Sequence, residues 1–506
     1  MKPVSRRSFL RVSGLGAAAA ILSACGGAAS PTAAPTAAPT KPAAAATTAP
    51  AATSAPAGGA ATPTTGAAAA ATKPAAAATG GAATPAAGAT SAAGTTPAAG
   101  ATAGAAAATK PAAAGTTTAA APAGAGNPNT IKIVSSLPRT GSSKGQTDTI
   151  VNSIKMALEE ANNKAGSFTL TYDDLDDATA AKGAWDAGKE AENAQKAVAD
   201  PDVMVYIGTF NSGAAKVSIP ILNQASLVMI SPANTYPGLT KPGKGEANEP
   251  KVYQPSGKPN YTRVVPADDI QGSAAAGWAK DLGAKSVYVL DDTELYGHGI
   301  AVVFTDTAKK IGLTVANSGG VSEGIDTKAQ DYRALAQKIK ATNPDMVYFG
   351  GITQNNAGKL WKDLRNVLGD KPMLMGPDGI AEEAFIKDAG DAAEGTYVTF
   401  GGLPPDKLSG AGADWYKRYK AKYNGEPEVY AVYGYEAAKV AIDAIGRAGK
   451  KDRAAIRDAV FATKNFQGAL GTWSFDENGD TTLTTMSGMQ VKGGKLQFVK
   501  ELKAAT

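Results

Sequence analysis

Residues 130–161 read TIKIVSSLPRTGSSKGQTDTIVNSIKMALEEA, and this stretch decides the fold class. The apolar run at 131–134 is typical of a buried β-strand, and a Gly/Ser-rich loop follows at 140–145. Ile150 and Ile154 then recur at the spacing of one helical face. The stretch therefore predicts a strand, a loop and an amphipathic helix in succession, which is the unit of a parallel α/β sheet.

The same alternation continues along the chain in two series. The first predicts strands at 168–172, 203–207 and 227–230 and helices at 179–199 and 213–224. The second predicts strands at 286–290, 313–316, 346–349 and 373–375 and helices at 271–282, 299–311, 328–341 and 355–368. Because single cores of this length usually divide, we predict two doubly wound parallel-sheet lobes.

The chain is predicted to pass between the two lobes three times, through three crossing strands that form a hinge. We place lobe 1 at 130–265 and 402–470, and lobe 2 at 266–401 and 471–504. The crossings are expected near 264–267, 399–402 and 470–472. In open parallel sheets ligands bind at the carboxyl ends of the strands, so the loops that follow the strands matter most.

The start of the chain carries an export signal. Basic residues precede a short apolar run at 17–22, which falls short of the ~20 residues needed to span a bilayer. Residues 5–10, SRRSFL, resemble a twin-arginine signal, and residues 22–25, LSAC, resemble a bacterial lipobox. We expect 1–24 to be removed, and lipidation of Cys25 to anchor the protein to the outer face of the cytoplasmic membrane.

Residues 25–129 predict a disordered tether between the anchor and the folded part. Ala, Pro, Thr, Gly and Ser dominate the segment, and frequent Pro and Gly interrupt each alanine run. A glycosylated stalk has the same composition. The first 129 residues hold seven of the 50 Lys and Arg and none of the 45 Asp and Glu, so the remainder has 43 basic and 45 acidic side chains. This near-neutral balance gives no electrostatic basis for nucleic-acid binding.

Three strand-end loops offer binding chemistry. Residues 208–213, GTFNSG, lead directly into a helix, where free N–H groups and the Ser212 hydroxyl favour a carboxylate or phosphate. The spacing agrees equally well with Ser212 as a helix N-cap that binds no ligand. Residues 231–235, SPANT, form a polar turn, and Asp378 follows another strand where its carboxylate faces a cation or makes an Asx turn.

These loops, taken in order, resemble the periplasmic leucine/isoleucine/valine-binding family over nearly all of 131–500. The matching pieces are 208–213, MVYFGG at 346–351, MGPDG at 375–379 and GTWSFDENGD at 471–480. The resemblance implies the type I periplasmic-binding-protein fold. It also implies that Ser212, Ala233 and Thr235 hold an amino-acid carboxylate and part of its ammonium, that Asp378 completes the ammonium site, and that Tyr296 and Tyr430 form cleft walls.

Departures from the family pattern leave the side-chain specificity open. Asn211 replaces a cysteine, Ile352 replaces a tyrosine of the ammonium site, and Gln146 replaces an aromatic residue. We expect Phe210, Gln146 and Ile352 to contact the ligand. Residues 236–260 add a Pro/Gly/Lys-rich excursion that is either a lid or a longer surface loop.

The function implied by the resemblance is the substrate-binding lipoprotein of an ABC importer. We expect a monomer that captures an amino acid, of branched-chain type, and delivers it to permease subunits without any cofactor. A sensor ectodomain, or an importer subunit for an amide, urea-like or aromatic-acid solute, uses the same fold. The sequence offers one His, His298, one Cys and no catalytic or ordered metal motif, so we predict no enzyme activity and no metal site.

The acidic run at 173–177 is the one segment that suggests a metal site or a pair of catalytic carboxylates. Runs of this kind are usually solvated loops. We therefore expect these side chains to lie at the surface without a catalytic role.

Overall fold

A computed structural model of the protein describes residues 126–505. The export signal, the lipidation of Cys25 and the tether as far as residue 125 lie outside these residues. Within the described range, no helix combines the length and apolar character needed to cross a membrane.

The strands follow the alternation predicted for the folded part. They are β1 Thr130–Leu137, β2 Lys164–Ala165, β3 Phe168–Asp176, β4 Ala178–Thr179, β5 Ala184–Trp185, β6 Val203–Gly208, β7 Val228–Ser231, β8 Tyr261–Arg263, β9 Ser286–Asp291, β10 Thr314–Val315, β11 Glu323–Gly324, β12 Met346–Gly350, β13 Met373–Gly376, β14 Tyr397–Gly401, β15 Phe466–Gly468, β16 Gly471–Trp473, β17 Met486–Lys492 and β18 Lys495–Leu502.

The α-helices lie between these strands. They are α1 Lys144–Glu160, α2 Ala187–Ala199, α3 Ser212–Gln224, α4 Asp268–Asp281, α5 Leu295–Lys310, α6 Arg333–Thr342, α7 Ala357–Leu368, α8 Glu383–Ala389, α9 Ala411–Tyr423, α10 Ala431–Ala448 and α11 Arg453–Phe461.

The first sheet has the strand order β2-β3-β1-β6-β7-β8 and is parallel except where β2 meets β3. Ile131, Ile133, Val205 and Ile207 in its central strands are fully buried, which agrees with their apolar runs. Helices α10 and α11 return from late in the chain and pack against α1 and against β6 and β7. We call this sheet with α1–α3 and α9–α11 the first lobe.

The second sheet has the order β10-β9-β12-β13-β14-β17-β18, and β11 also pairs with β9. It is parallel from β10 to β14, and the edge formed by β17 and β18 is antiparallel. Helices α4 and α5 pack together on one face, and α7 packs with α6 and α8. We call this sheet with α4–α8 the second lobe, and the two sheets confirm the predicted α/β class.

Three segments join the two sheets. The first, 264–267, lies between β8 and α4, as predicted. The predicted crossing at 399–402 lies largely within β14, and the one at 470–472 overlaps β16, so the chain crosses slightly later, at 402–410 and 474–485. The exact lobe boundaries stay a prediction.

Residues 178–185 correct one element prediction. They form the antiparallel hairpin of β4 and β5 and not the first turns of the predicted helix 179–199. The helix starts only at Ala187, because the Asp186 carboxylate accepts hydrogen bonds from the N–H groups of Gly188 and Lys189 and so caps it.

Helix α6 also starts later than predicted, at Arg333 and not at 328. The segment before it is held as a loop by Tyr332. The Tyr332 N–H donates to Asp363 Oδ2 at 2.7 Å, and its hydroxyl donates to the Asp326 carbonyl at 2.7 Å.

The excursion at 236–260 is a packed loop that contacts both lobes. Inside it, the buried Glu249 carboxylate accepts hydrogen bonds from the hydroxyls of Tyr236 and Tyr253. Toward the second lobe, the Tyr236 ring lies so close to Gly299 of α5 that a Cβ there would come within 2.6 Å of it. Lys241 Nζ also lies 2.8 Å from Asp269 Oδ1 on α4.

Candidate functional site

A small cavity lies between the carboxyl ends of the two sets of strands. Its volume is about 20 Å³, which is room for about one water molecule. It is lined by Phe210, Asn211, Ser212, Ala233, Thr235, Tyr296, Ile352, Asp378, Gly379 and Tyr430. The structure thus brings together eight of the nine predicted ligand-binding residues, and these come from both lobes.

The first-lobe wall of the cavity offers backbone donors and a hydroxyl. Helix α3 begins at Ser212, so its first N–H groups have no partner within the helix. Among the described residues, the N–H groups of Ser212, Gly213 and Thr235 donate to no acceptor. The Ser212 hydroxyl accepts from the Tyr236 N–H at 3.3 Å and keeps its own proton for a second partner. This arrangement suits a carboxylate.

Ser231 fixes the shape of that wall. Its hydroxyl donates to the Thr209 carbonyl at 3.1 Å and accepts from the N–H groups of Ala233 and Asn234 at 3.1 and 2.8 Å. Because the Ala233 N–H is already used, Ala233 offers the cavity its carbonyl, which is an acceptor and suits an ammonium.

The second-lobe wall is organised around the buried carboxylate of Asp378. Its Oδ1 accepts hydrogen bonds from Gln271 Nε2 at 2.6 Å and from the Tyr296 hydroxyl at 2.8 Å, and its Oδ2 accepts one from the Tyr430 hydroxyl. Burial raises the pKa of Asp378, although these three hydrogen bonds oppose that shift. All three donors are neutral, and no cationic side chain in residues 126–505 forms an ion pair with this carboxylate.

A second carboxylate, that of Asp268, lies beside Asp378 and was not predicted from the sequence. Asp268 is fully buried at the start of α4, and neither of its oxygens accepts a hydrogen bond from a described residue. Burial, and then the neighbouring charge of Asp378, hold its pKa well above the usual value, although the nearby Thr235 hydroxyl and the positive charge of Arg263 oppose that shift. Gln271, which binds Asp378, lies one helical turn further along and was missed too. An acid in the first turn of a helix is ordinarily explained by the helix dipole, so its position in the chain is only a weak signal of a binding role.

Aromatic rings close the cavity. Tyr430 is fully buried and packs edge-on against Phe210, with ring centroids 5.7 Å apart. The Tyr296 hydroxyl also accepts a hydrogen bond from the Gly379 N–H at 3.0 Å. This bond and the one that the hydroxyl donates to Asp378 together fix the position of the ring. These contacts place both tyrosines against Asp378, as walls of the cavity.

Gln146 and Ile352 have different positions relative to the cavity. Ile352 lines it, and its N–H donates to Asp292 Oδ2 at 3.1 Å. Gln146, in the first turn of α1, is buried but is not among the lining residues. It lies next to Glu382, in a polar region adjoining the cavity.

No group of three or more His, Cys, Asp and Glu side chains in the described range is arranged to hold a metal ion. The acidic run is instead used in surface contacts. Asp173 pairs with Lys132 and Asp174 pairs with Arg139. Asp177 differs, because it is fully buried. His298 lies beside Asp291, with 59% of its side chain exposed.

A family profile described as periplasmic binding protein matches residues 130–495. The chain belongs to the periplasmic binding protein family. Its relatives include the Leu/Ile/Val-binding protein homolog 2 of Brucella abortus (strain 2308), which is 29% identical over 69% of this chain and 86% of the relative. The leucine-, isoleucine-, valine-, threonine- and alanine-binding protein of Pseudomonas aeruginosa is 28% identical over 70% of this chain and 87% of that one. The predicted resemblance is thereby confirmed.

The fold of this periplasmic binding protein is also that of solved structures. A leucine binding protein from Thermotoga maritima superposes with a TM-score of 0.64 at 27% identity, over 74% of this chain and 99% of the other. A branched-chain amino acid transporter substrate binding protein from Streptococcus pneumoniae, in complex with isoleucine, has a TM-score of 0.62 at 24% identity. The type I fold predicted for the chain is therefore confirmed.

Proposed function

We propose that this periplasmic binding protein captures an α-amino acid between its two lobes and serves as the extracytoplasmic subunit of an ABC importer. One observation carries the proposal. A single cavity has free backbone N–H groups and the Ser212 hydroxyl on one wall, and the buried carboxylate of Asp378 on the other. These two walls are complementary to the carboxylate and the ammonium of a zwitterion.

The ammonium of the ligand brings the positive charge that the second wall lacks. Asp378 is surrounded by neutral donors, and Asp268 beside it has no hydrogen-bond partner among the described residues. A buried carboxylate without a counter-ion is unfavourable. An ammonium bound at Asp378 supplies that counter-ion and displaces the Tyr430 hydroxyl from Oδ2.

Ligand entry requires the lobes to separate. The cavity holds about one water, far less than the ~300 Å³ or more of typical small-molecule sites. The ligand therefore binds an open form, and its contacts with both walls stabilise closure about the three crossing segments. Small-angle scattering with and without ligand tests this step, and identical profiles at saturating ligand contradict it.

The ligand class and the partners complete the proposal. The relatives from Brucella and Pseudomonas are named for binding leucine, isoleucine and valine, and we propose an amino acid for this chain as well. The closed shape is then recognised by permease subunits in the membrane. Lipidation of Cys25 holds the binding protein, as a monomer, near that permease. Its role is binding without catalysis.

Three matched ligands test the proposal directly. Leucine, 4-methylpentanoate and 3-methylbutylamine share one hydrocarbon chain, and the last two lack the ammonium and the carboxylate respectively. Calorimetry over a panel of amino acids and these analogues should show binding only where both groups are present. Failure of every amino acid to bind, or equal binding of an acid or amine that lacks one group, contradicts the proposal.

A further inference from the structure

A second polar group is formed mostly by residues that lie close in the chain to residues lining the cavity. It consists of Gln146, Thr353, Glu382 and Glu428, and we call it the Glu382 group. Glu382 follows the cavity residues Asp378 and Gly379 in the chain, and Glu428 precedes Tyr430 by two residues. Gln146 and Glu428 belong to the first lobe, whereas Thr353 and Glu382 belong to the second, so the group spans the cleft.

The polar atoms of this group are buried without hydrogen-bond partners. Glu382 is 2% exposed, and neither carboxylate oxygen accepts a hydrogen bond of normal geometry from a described residue, although the nearby Thr353 hydroxyl and Gln146 amide act to lower its pKa. Gln146 is also 2% exposed, and its Oε1 likewise accepts none. Glu428 is half-buried, and its Oε1 accepts only a long hydrogen bond, 3.4 Å, from the Glu383 N–H. Nearly all buried polar atoms in proteins are paired, so this concentration of acceptors needs an explanation.

No basic side chain balances the two carboxylates. Among the described residues, the side chains that act on Glu382 are Thr353, Gln146 and the acids Glu428 and Asp388. The charged side chain that acts on Glu428 is another acid, Glu383. Burial raises the pKa of Glu382 to about 8 and that of Glu428 to about 7, which is the expected response of acids that lack a cation.

The missing partner must bring hydrogen-bond donors and positive charge together. The Thr353 hydroxyl and the Gln146 amide N–H are the donors nearest Glu382, but both are neutral, and Gln146 Oε1 is left without a donor. An ammonium carries three donors and a guanidinium carries five. Either group, placed between the two lobes, satisfies these acceptors and offsets the buried charge. A branched aliphatic side chain does neither.

We infer that the bound amino acid carries a second positive charge on its side chain, received by Glu382 and Glu428 from opposite lobes. The inference rests on the proposed function, because the carboxylate and ammonium of the backbone of the ligand must first be held at Ser212 and Asp378. It specifies the ligand class as basic amino acids such as lysine, ornithine and arginine.

Isosteric ligand pairs test the inference in the unaltered protein. Norleucine is lysine without its terminal ammonium, and citrulline is arginine with a neutral urea in place of the guanidinium. A hydrogen bond to a charged group contributes about 1.5–3 kcal/mol, so calorimetry should show lysine and arginine binding roughly tenfold to a hundredfold tighter than their neutral partners. Equal or tighter binding of norleucine and citrulline overturns the inference and leaves the proposed function intact.

Variants locate the effect. Glu382→Gln should weaken lysine binding at least about tenfold and leave norleucine within about threefold. Glu428→Gln is a second, independent variant. Asp391→Asn is the matched control, because it removes the same charge from an exposed position just after α8 that acts on neither Glu382 nor Glu428. Loss of lysine and norleucine affinity together in both variants overturns the role given to these carboxylates.

One more ligand separates this inference from the proposed function. 1,5-Diaminopentane keeps both positive charges of lysine and lacks the carboxylate. If it binds as tightly as lysine, the carboxylate site at Ser212 is wrong and the proposed function fails. If it binds much more weakly while lysine exceeds norleucine, both proposals are supported.

Discussion

The first-lobe wall of the cleft consists of backbone N–H groups, a carbonyl and hydroxyls, whereas the second-lobe wall presents buried carboxylates. The first wall is neutral, and Ser231 fixes it through three hydrogen bonds within the loops. On the second wall, Asp378 has only neutral donors and Asp268 has no hydrogen-bond partner among the described residues. Under the proposed function, the first wall accepts any carboxylate, whereas the second favours a ligand that carries a cation and so selects the ligand.

Asp378→Ala should have the largest effect, because it removes the ammonium partner. We expect leucine-type or lysine-type amino acids to lose affinity on the order of a hundredfold, and ammonium-free acids such as 4-methylpentanoate to be spared. Calorimetry measures both. Asp414→Ala, which removes an exposed acid of α9, is the control. An equal loss for both ligand types would show that Asp378 supports the structure and does not recognise the ammonium.

The second-lobe carboxylates should also make stability depend on pH. Burial raises the pKa of Glu382 from 4.5 to about 8, so between these values the folded protein holds a proton that the unfolded chain has released. The free energy of unfolding must then fall as pH rises, by at most about 1.4 kcal/mol per pH unit for this group.

Glu382→Gln should remove that slope, because an amide does not titrate. Thermal unfolding without ligand should be measured from pH 5 to pH 8. The melting temperature of the variant should rise relative to that of the wild type as pH rises. Asp391→Asn, which removes an exposed acid just after α8, should follow the wild type. Parallel curves for Glu382→Gln and wild type would mean that Glu382 is solvated and ionised throughout.

Ser212→Ala tests the neutral wall and should have a smaller effect. Loss of one hydroxyl donor to a charged carboxylate costs about 1.5 kcal/mol when the backbone N–H donors remain, which is roughly tenfold in affinity. Because only the carboxylate is affected, amino acids and ammonium-free acids should weaken alike. Ser218→Ala, in the same helix but bonded to the Ala214 carbonyl, is the control. A loss confined to amino acids would contradict the division of roles between the walls.

The ion pair between Lys241 and Asp269 should have the smallest effect. It connects the excursion at 236–260 to α4 of the second lobe, and both side chains are about one-fifth exposed. Pairs of this kind contribute up to about 1 kcal/mol and weaken with salt. Lys241→Met should lower ligand affinity no more than about fivefold, and less at high salt. Ligand affinity unchanged at every salt concentration would show that the excursion does not couple the lobes.

The neutral wall could be predicted from the sequence largely because it is local. Its donors follow from a strand that ends at Gly208 and a helix that begins at Ser212, and both positions are visible in the pattern of residues 203–224. The same holds for the order of strands and helices as far as β13, apart from short strands such as those of the β4–β5 hairpin and the later starts of α2 and α6.

The acidic wall could be predicted only in part because it depends on distant contacts. Gln271 and Asp378 are 107 residues apart, and nothing in either local pattern indicates that they meet. Asp268 resembles an ordinary helix-start acid, and Gln146 was expected against the ligand although it lies beside Glu382. Tertiary packing, and not local propensity, decides which side chains share a buried region.

The Arg263–Asp480 ion pair limits how the two lobes can turn. Arg263 lies at the end of β8, fully buried, and its guanidinium donates to Asp480 Oδ1 at 2.7 Å and to the Tyr236 carbonyl at 2.8 Å. Although burial opposes it, the charge of Arg263 lowers the pKa of Asp480, so both partners stay ionised. Separating such a pair would leave two unpaired charges in the interior, which is strongly unfavourable. The first and third crossing segments are therefore held together at this point. In the proposed closure, rotation is therefore left to backbone torsions beyond this ion pair, such as those of residues 264–267.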